Sequence, residues 1–389
     1  MHPVLFASLV GLQQIVCWGT LTYAAAVFAP FLAQACGISI ASVMTAYGVG
    51  LLTNAFVAPA ATRWVLRVGT LGPGTLGLAL LIAACATLSQ ASNWILLTFG
   101  FMIAGTAMAL TQYDFAFLTV SLHMPAHARR VITVITFFGA LASTIMWPAA
   151  LALASLLGPQ RAWLALAAIS VVFSLPALLL AYRQPIVSRE SATSSADAPN
   201  SSLAAPAVSS AFLLGLLGLM FMGISLVANL PLVLTLMKTP TEQMAWILSL
   251  FGIGQLCSRA LDYIAGRWLS TRATVAVCSV SFCTALVLMV STQQGGFQTA
   301  LGVFLFGCAN GLVTVLRGVL PQQLFQGEAF AKVSSQLAGF GALGRALMPV
   351  VAAQALALPL GLEALSLIYG LIIALCGWML WQQVRPQAF

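Results

Sequence analysis

Residues 4–33 read VLFASLVGLQQIVCWGTLTYAAAVFAPFLA, thirty consecutive positions without a charged side chain. A helix that crosses the hydrocarbon core of a bilayer needs roughly 20 predominantly apolar residues, so this stretch is long enough to span a membrane. A cleavable signal peptide has a shorter apolar region behind a basic segment, whereas here no Lys or Arg precedes Val4 and the apolar run passes Pro30. We therefore expect a retained transmembrane helix at the start of the chain.

The rest of the chain has the same character. Of its 389 residues, 61% are hydrophobic and only 6% are charged, whereas a soluble domain carries about 25% charged residues. So few charges cannot cover a water-facing surface, and most of the surface must therefore face lipid. The predicted fold class is an all-α membrane protein with twelve transmembrane helices, at 4–33, 40–62, 71–90, 94–120, 131–157, 162–182, 209–235, 243–265, 273–292, 297–320, 331–356 and 363–383.

Basic residues are distributed unevenly between the connections of these helices. With the amino terminus inside, the outer connections hold only Arg161 and Lys238. The inner connections hold Arg63, Arg67, Arg129, Arg130, Arg183, Arg189, Arg267, Arg272, Lys332 and Arg385. This positive-inside asymmetry predicts that both termini are cytoplasmic. It also accounts for the formal net charge of +8, and since no basic face with interleaved aromatics occurs, we expect no nucleic-acid partner.

Residues that would support catalysis or metal binding are not arranged for it. The eight cysteines lie almost entirely inside apolar stretches and form no Cys-x-x-Cys pair, which is typical of small buried residues. No phosphate-binding loop, nucleophile elbow or zinc-protease motif occurs. His123 and His127 fall in a predicted solvated loop. We therefore expect a transporter and not an enzyme, with no metal and no cofactor.

The chain divides into two related parts. Residues 186–208, IVSRESATSSADAPNSSLAAPAV, are polar and rich in Ser and Ala, as flexible linkers are. On either side the same features recur in helices of the same rank: Gly48 and Gly50 correspond to Gly252 and Gly254, and FGAL at 138–141 corresponds to FGAL at 340–343. We predict an amino-terminal six-helix bundle at 1–185, a cytoplasmic linker at 186–208 and a carboxy-terminal six-helix bundle at 209–389. Parallel repeats of this kind hold a solute site at their interface near mid-bilayer.

The loop after the second predicted helix carries a family resemblance. Residues 62–69, TRWVLRVG, match the signature Gly-x-x-x-Asp-Arg-x-Gly of the major facilitator superfamily at Arg67 and Gly69. Thr62 replaces its glycine and Leu66 its aspartate, so the family's switch role is not assigned to the missing acid. The chain resembles this superfamily over essentially its whole length, and 139–148 and 314–325 resemble a bacterial subgroup. The resemblance implies a secondary-active transporter of a bacterial inner membrane that works by alternating access.

Charged residues inside the predicted helices are the first candidates for function, because each costs about 2.5–3.5 kcal/mol at the centre of a spanning helix. Asp114 lies deep in the fourth helix, and Arg317 lies at nearly the same depth in the tenth, its equivalent in the repeat. In the superfamily that the chain resembles, the inner ends of these helices close when the protein opens outward. One hypothesis places both residues at this cytoplasmic gate, with proton coupling through Asp114. The alternative is that each pairs within its own half.

Two further arginines lie in the second half. Arg345 is close to mid-depth in the eleventh helix, where the repeat position is Ser143, and no acid lies within a turn of it. Its planar guanidinium suits a carboxylate or phosphate, so we weigh solute binding against a pair with Asp114 and against packing. Arg259 and Asp262 are three apart on one helix face, which predicts a local ion pair, with the alternative that Arg259 reaches the gate or the cavity.

Uncharged polar residues complete the candidate site. Gln14, Trp18 and Tyr23 share a face of the first helix. Mid-helix amides occur at Asn54, Asn229 and Asn310, and Tyr113 precedes Asp114 beside Gln112. Each amide either lines the cavity or cross-links helices, and Tyr113 borders the gate.

Three intramembrane arginines against one deep acid favour an anionic solute. The predicted function is transport of a small organic anion, monocarboxylate-like, with the lipid bilayer as surroundings and a monomer as the working unit. The alternative is efflux of amphipathic drugs or siderophores. A cavity dominated by aromatics favours the alternative, whereas a cavity closed around Arg345 counts against it.

Overall fold

A computed structural model describes residues 2–186, 209–265, 270–291, 295–325 and 327–384. The described residues form helices and short connections. The α-helices are α1 Pro3–Trp18, α2 Ala24–Cys36, α3 Ile40–Val68, α4 Leu71–Ser89, α5 Trp94–Ala109, α6 Tyr113–His123, α7 Ala128–Leu157, α8 Pro159–Pro176, α9 Ser210–Leu236, α10 Thr241–Ala265, α11 Thr271–Ser291, α12 Phe297–Leu324, α13 Gly327–Leu356 and α14 Gly361–Gln383. Two π-helical turns, Gly19–Tyr23 and Ala177–Ala181, and one 3₁₀ turn, Pro125–His127, join or extend them.

These helices make twelve candidate membrane spans, so the predicted count is confirmed. The first span joins α1, a π-helical turn and α2, and the fourth joins α5 and α6 across a break. Helix ends follow local chemistry: Asn93 Oδ1 accepts from Leu96 N at 2.9 Å to cap α5, and Gly37 ends α2 at a φ of +64°, a conformation that favours glycine. Because twelve spans alternate in direction, α1 begins and α14 ends on one side, called the terminal end below. The other side is called the closed end.

Glycines set the helix packing inside each half. A Cβ atom on Gly50 would overlap the carbonyl oxygen of Phe101, and one on Gly254 would overlap that of Phe304. The first contact joins the second and fourth spans, and the second joins their counterparts, the eighth and tenth. Small residues let membrane helices approach closely enough for backbone contact. The corresponding contacts bear out the two pseudo-symmetric six-helix bundles expected from the glycine repeat.

The two halves meet along the second and eleventh spans and along the fifth and eighth. Here again the repeat glycines face the contact: a Cβ atom on Gly48 would press on Val350, and one on Gly252 would press on Thr144. Thr144 Oγ1 donates to the carbonyl oxygen of Ser249 at 3.3 Å, and Ser249 Oγ donates back to that of Thr144 at 3.1 Å. In each i, i+2 glycine pair, one member therefore faces its own half and the other faces the opposite half.

Two sequence expectations concern the connections. His123 is buried at the end of α6, where its Nε2 lies 2.8 Å from Thr70 Oγ1 and its ring packs near Phe6. The prediction of a solvated loop was therefore wrong for His123, because the helix continues further than the apolar pattern suggested; His127 is exposed as expected. Most of the predicted linker, residues 187–208, lies outside the described residues, and the domain boundaries stay a prediction.

Candidate functional site

A cavity of about 250 Å³ lies between the two halves near the middle of the spans. At the closed end the halves are in contact, since Gln354 Nε2 donates to Thr45 Oγ1 across them at 3.3 Å and α2 packs against α9. At the terminal end Asp114 and Arg317 are both exposed. The cavity is therefore shut at the closed end, and the charged side chains beside its other end are accessible.

The amino-terminal half gives the cavity a set of rings, called the aromatic wall: Trp18, Tyr23, Tyr47 and Tyr113. The Trp18 and Tyr113 ring centroids lie 5.1 Å apart, and those of Trp18 and Tyr23 lie 6.5 Å apart. These are normal spacings for interacting aromatic pairs. Tyr23 belongs to the π-helical turn that follows Trp18, and such turns are frequent at functional sites because they alter which side chains face inward.

The break in the fourth span shapes the middle of this wall. α5 ends at Ala109 and α6 begins at Tyr113. The amide groups between them still bond to the carbonyl oxygens of Ala107 and Met108, whereas the carbonyl oxygen of Thr111 takes its partner from another span. In a membrane such groups must be satisfied by the protein itself. Gln14 Nε2 donates to the carbonyl oxygen of Thr111 at 2.8 Å, and Gln112 Nε2 donates to Thr22 Oγ1 at 3.0 Å. Gln14 is fully buried and does not line the cavity. In this structure it supports the break, and solute binding by Gln14 stays a prediction.

The carboxy-terminal half gives the opposite face, called the cationic wall: Arg259, Arg317 and Arg345. Arg317 lies close enough to Arg345 and to Asp114 for both charges to act on it. Among the residues that the structure describes, no carboxylate lies within 4 Å of any of these arginines. Asp114 does not line the cavity. Positive charge thus predominates on this wall.

Arg259 departs from its predicted local ion pair with Asp262. Its Nη1 donates to the carbonyl oxygen of Thr136 in the other half at 3.1 Å, and its Nη2 donates to Thr314 Oγ1 at 3.4 Å. It also lies beside Tyr113 and Tyr23. By turning away from Asp262, the long side chain makes these two hydrogen bonds and reaches the surface of the cavity. Arg259 therefore joins the two walls.

The three predicted amides take different positions. Asn54 and Asn310 line the cavity, and Asn310 Oδ1 accepts from Gln255 Nε2 at 3.1 Å. Asn229 is buried and does not line it; its Nδ2 donates to the carbonyl oxygens of Ser225 and Pro349, both at 2.9 Å. Asn229 thus cross-links the seventh and eleventh spans, and solute binding by Asn229 stays a prediction.

Several cavity residues are missing from the predicted site, among them Thr22, Tyr47 and Gln255. Tyr47 lies seven residues before Asn54, with Leu51 between them, and all three line the cavity. Positions i, i+4 and i+7 share a helix face, so this spacing predicts that Tyr47 lies on the same face as Asn54. Gln255 is an amide inside an apolar span, like Asn54. Thr22 carried no such signal, because its orientation depends on the π-helical turn.

Gly139 provides a test of the aromatic wall. A Cβ atom there would overlap the hydroxyl of Tyr113, whereas one on Gly341, its counterpart in the repeat, would meet only Met220 Cε at 3.4 Å. We expect Gly139→Ala to displace the Tyr113 ring and reduce the initial rate of solute uptake by roughly tenfold, the effect of about 1.4 kcal/mol. Gly341→Ala is the matched control and should stay within about twofold. Equal uptake by both variants would show that Tyr113 does not contribute to the solute site.

Comparison with known proteins agrees with this architecture. The family model described as Major Facilitator Superfamily matches residues 10–349. No curated protein sequence matches the chain. Among solved structures, the D-xylose–proton symporter has a TM-score of 0.75 at 13% identity, covering 99% of this chain and 98% of that one. The nucleoside transporter NupG has a TM-score of 0.69 at 15% identity, covering 98% and 99%, and a point mutant of it reaches 0.72 at 14%, covering 99% and 100%.

At such identities the solved structures establish the fold alone, while the family model covers most of the chain. Twelve spans in two related bundles, a cavity between the bundles and a match over residues 10–349 lead to one assignment. The chain belongs to the major facilitator superfamily and is a multi-pass membrane transporter of the secondary type, not an enzyme.

Proposed function

We propose that this transporter carries a small organic anion, of the monocarboxylate type, by alternating access. The observation that carries the proposal is the cationic wall, on which three arginines face one cavity without a described carboxylate within 4 Å. Charges inside a membrane protein are paired or face water, because burying them alone is costly. A guanidinium binds a carboxylate through two parallel hydrogen bonds. An anionic solute supplies the charge that this wall lacks.

The size of the cavity bears on the alternative of drug or siderophore efflux. Pockets for drug-sized ligands measure roughly 300–1,000 Å³, and this cavity measures about 250 Å³. The aromatic wall favours an amphipathic solute, but the volume favours a compact one and the arginines favour an anion. These three properties together support a small organic acid over a bulky apolar drug.

The test is uptake by the purified full chain in proteoliposomes at neutral pH, with and without an imposed pH gradient. The panel contains a monocarboxylate, a dicarboxylate, a nucleoside, xylose and a cationic dye, and liposomes without protein correct for diffusion of protonated acid. We expect saturable, protein-dependent uptake of carboxylate. Uptake of xylose, nucleoside or dye without carboxylate uptake would overturn the proposal. A rate that rises with an inward proton gradient supports proton coupling, and an insensitive rate contradicts it.

We further infer that Asp114 and Arg317 form a gate at the terminal end. Both residues are exposed there and carry opposite charges on equivalent spans, while the other end is shut. When the terminal end closes, the two side chains approach each other and their attraction stabilises the closed form. A proton on Asp114 would remove this attraction, which is how the gate could couple to a proton gradient.

Cysteine cross-linking tests the gate. In a background with the eight native cysteines replaced, we compare the pair Asp114→Cys and Arg317→Cys with the pair Thr45→Cys and Gln354→Cys at the closed end. A transported carboxylate or an outward-facing state should increase the first cross-link and decrease the second. If both pairs respond alike, or the first never forms, Asp114 and Arg317 do not form a gate.

We also infer the orientation of the protein and the membrane in which it lies. Arg63 and Arg67 are exposed at the terminal end of α3, which supports a cytoplasmic position for that end under the positive-inside rule. We infer the inner membrane of a bacterium as the setting. Each chain carries a complete cavity, which supports a monomer as the working unit.

An impermeant thiol reagent outside intact cells should label a cysteine introduced at Gly37, beside the closed end, and not one introduced at Arg67. The reverse result would mean that the protein has the opposite orientation in the membrane.

A further inference from the structure

The chemistry of the cavity is divided between the two halves. Every ring of the aromatic wall belongs to the first half, and every arginine of the cationic wall belongs to the second. The repeat does not require this division: the counterpart of Arg345 is Ser143, which is buried and bonds within its own helix to the carbonyl oxygen of Ala140 at 3.3 Å. A solute between the halves therefore meets aromatic surface on one side and guanidinium groups on the other.

We propose that the transported anion carries an aromatic ring, so that the substrate class is small aromatic carboxylates. This inference rests on the proposed function and narrows it. The carboxylate would lie against Arg317 and Arg345, whose charges are close enough to act on each other and therefore repel until an anion bridges them. The ring would lie against Trp18 and Tyr113.

The aromatic wall suits a flat ring because its own rings are held in place. Trp18 packs against Tyr113 at 5.1 Å, and Tyr113 stacks on Phe117 at 5.1 Å with an interplanar angle of 15°. Tyr23 packs against the fully buried Trp147 at 4.9 Å. A preorganised surface loses little conformational entropy when a planar solute binds. Aromatic pairs also attract each other beyond the effect of buried area, so an aromatic solute should bind this surface more tightly than an aliphatic one.

Arg259 lies where the two walls meet. It contacts Thr136 of the first half and lies beside Tyr113, while its own helix belongs to the second half. A ring-bearing carboxylate would span the same junction, with its ring on one half and its charge on the other. Such a solute touches both halves at once, which couples its binding to their relative movement.

Matched ligands test the inference. Benzoate and cyclohexanecarboxylate share charge and ring size but differ in aromaticity, and benzamide is the neutral counterpart of benzoate. We measure binding of each to the purified full chain by isothermal titration calorimetry at neutral pH. Benzoate should bind roughly 2–10-fold more tightly than cyclohexanecarboxylate, the factor expected of an aromatic pair, and benzamide should not bind measurably.

Variants then assign the preference to the aromatic wall. Trp18→Leu should weaken benzoate binding more than cyclohexanecarboxylate binding and so abolish the preference for benzoate, whereas Trp378→Leu, on the exposed face of α14, should change neither. Equal binding of benzoate and cyclohexanecarboxylate by the unaltered protein would overturn the aromatic inference and leave the proposed anion transport standing. Binding of benzamide with neither carboxylate would overturn both. The ligand comparison needs no variant, so it stands even if Trp18→Leu folds poorly.

Discussion

Carboxylate uptake should fall by roughly 30-fold or more in the Arg345→Gln variant. Truncating one partner of a buried, hydrogen-bonded charge pair costs roughly 2–5 kcal/mol, and about 1.4 kcal/mol corresponds to a factor of ten. Arg345 lies in the middle of the eleventh span and lines the cavity, with no described acid within 4 Å. Its guanidinium charge is therefore available to bind the solute and is not neutralised by a described acidic side chain.

Two companion variants sharpen this experiment. Arg345→Lys keeps the charge but loses the planar fork, so we expect about tenfold weaker apparent affinity and partly retained maximal rate. Arg161→Gln makes the same change as Arg345→Gln at an exposed position at the start of α8, and uptake should stay within about twofold. Initial rates are normalised to the amount of folded protein in the liposomes. Normal uptake by Arg345→Gln would exclude this side chain from the solute site.

The second large effect should come from Gly48→Leu, which places a side chain between the halves near the closed end. A Cβ atom added to Gly48 would already press on Val350 and would lie 3.0 Å from the carbonyl oxygen of Ala346. Overpacking of this kind costs roughly 1–3 kcal/mol, and the cost applies only to the state in which the closed end is shut. The equilibrium should therefore shift by roughly 5–150-fold toward the state in which that end is open.

Labelling of a cavity cysteine measures this shift. Asn54 lines the cavity. In a background without the native cysteines, the reaction of the Asn54→Cys variant with an impermeant maleimide reports whether the cavity is accessible from each side of the membrane. Gly48→Leu should increase labelling from the closed-end side and slow net uptake. Gly370→Leu is the control, because nothing lies within 4 Å of a Cβ atom there. Unchanged labelling in Gly48→Leu would mean that the halves do not separate at this contact.

The number of spans and their division into two bundles follow from apolar length and from the glycine repeat. Both signals have a physical cause: a bilayer sets the length of each span, and close contact between helix backbones favours glycine and other small residues. Gly50 and Gly254 take equivalent positions for this reason.

The face on which a polar residue lies is harder to predict. Asn54 and Asn229 are both mid-span amides, yet one lines the cavity and the other bonds to the carbonyl oxygen of Pro349. The difference depends on helix rotation, which tertiary packing decides. Arg259 illustrates the same limit, because Asp262 is near in sequence while its actual partners, Thr136 and Thr314, belong to other spans.

Interruptions of the helices could not be predicted either. The break before Tyr113 contains Leu110, Thr111 and Gln112, with neither proline nor glycine to signal it. Hydrogen bonds from Gln14 and Gln112 to partners distant in sequence stabilise it. This break and the π-helical turn at Gly19–Tyr23 bring Tyr113, Thr22 and Tyr23 to the cavity, so the aromatic wall as a whole is a tertiary property.

An organic anion should bind between the aromatic and cationic walls. Anomalous diffraction from crystals of the full chain with 4-bromobenzoate locates the bromine directly. We expect one bromine peak inside the cavity, on the Trp18 side, with carboxylate density against the guanidinium of Arg345. A protein that binds 4-bromobenzoate with its bromine and carboxylate elsewhere, leaving the cavity and Arg345 without the ligand, would show that the anion does not bind between the two walls.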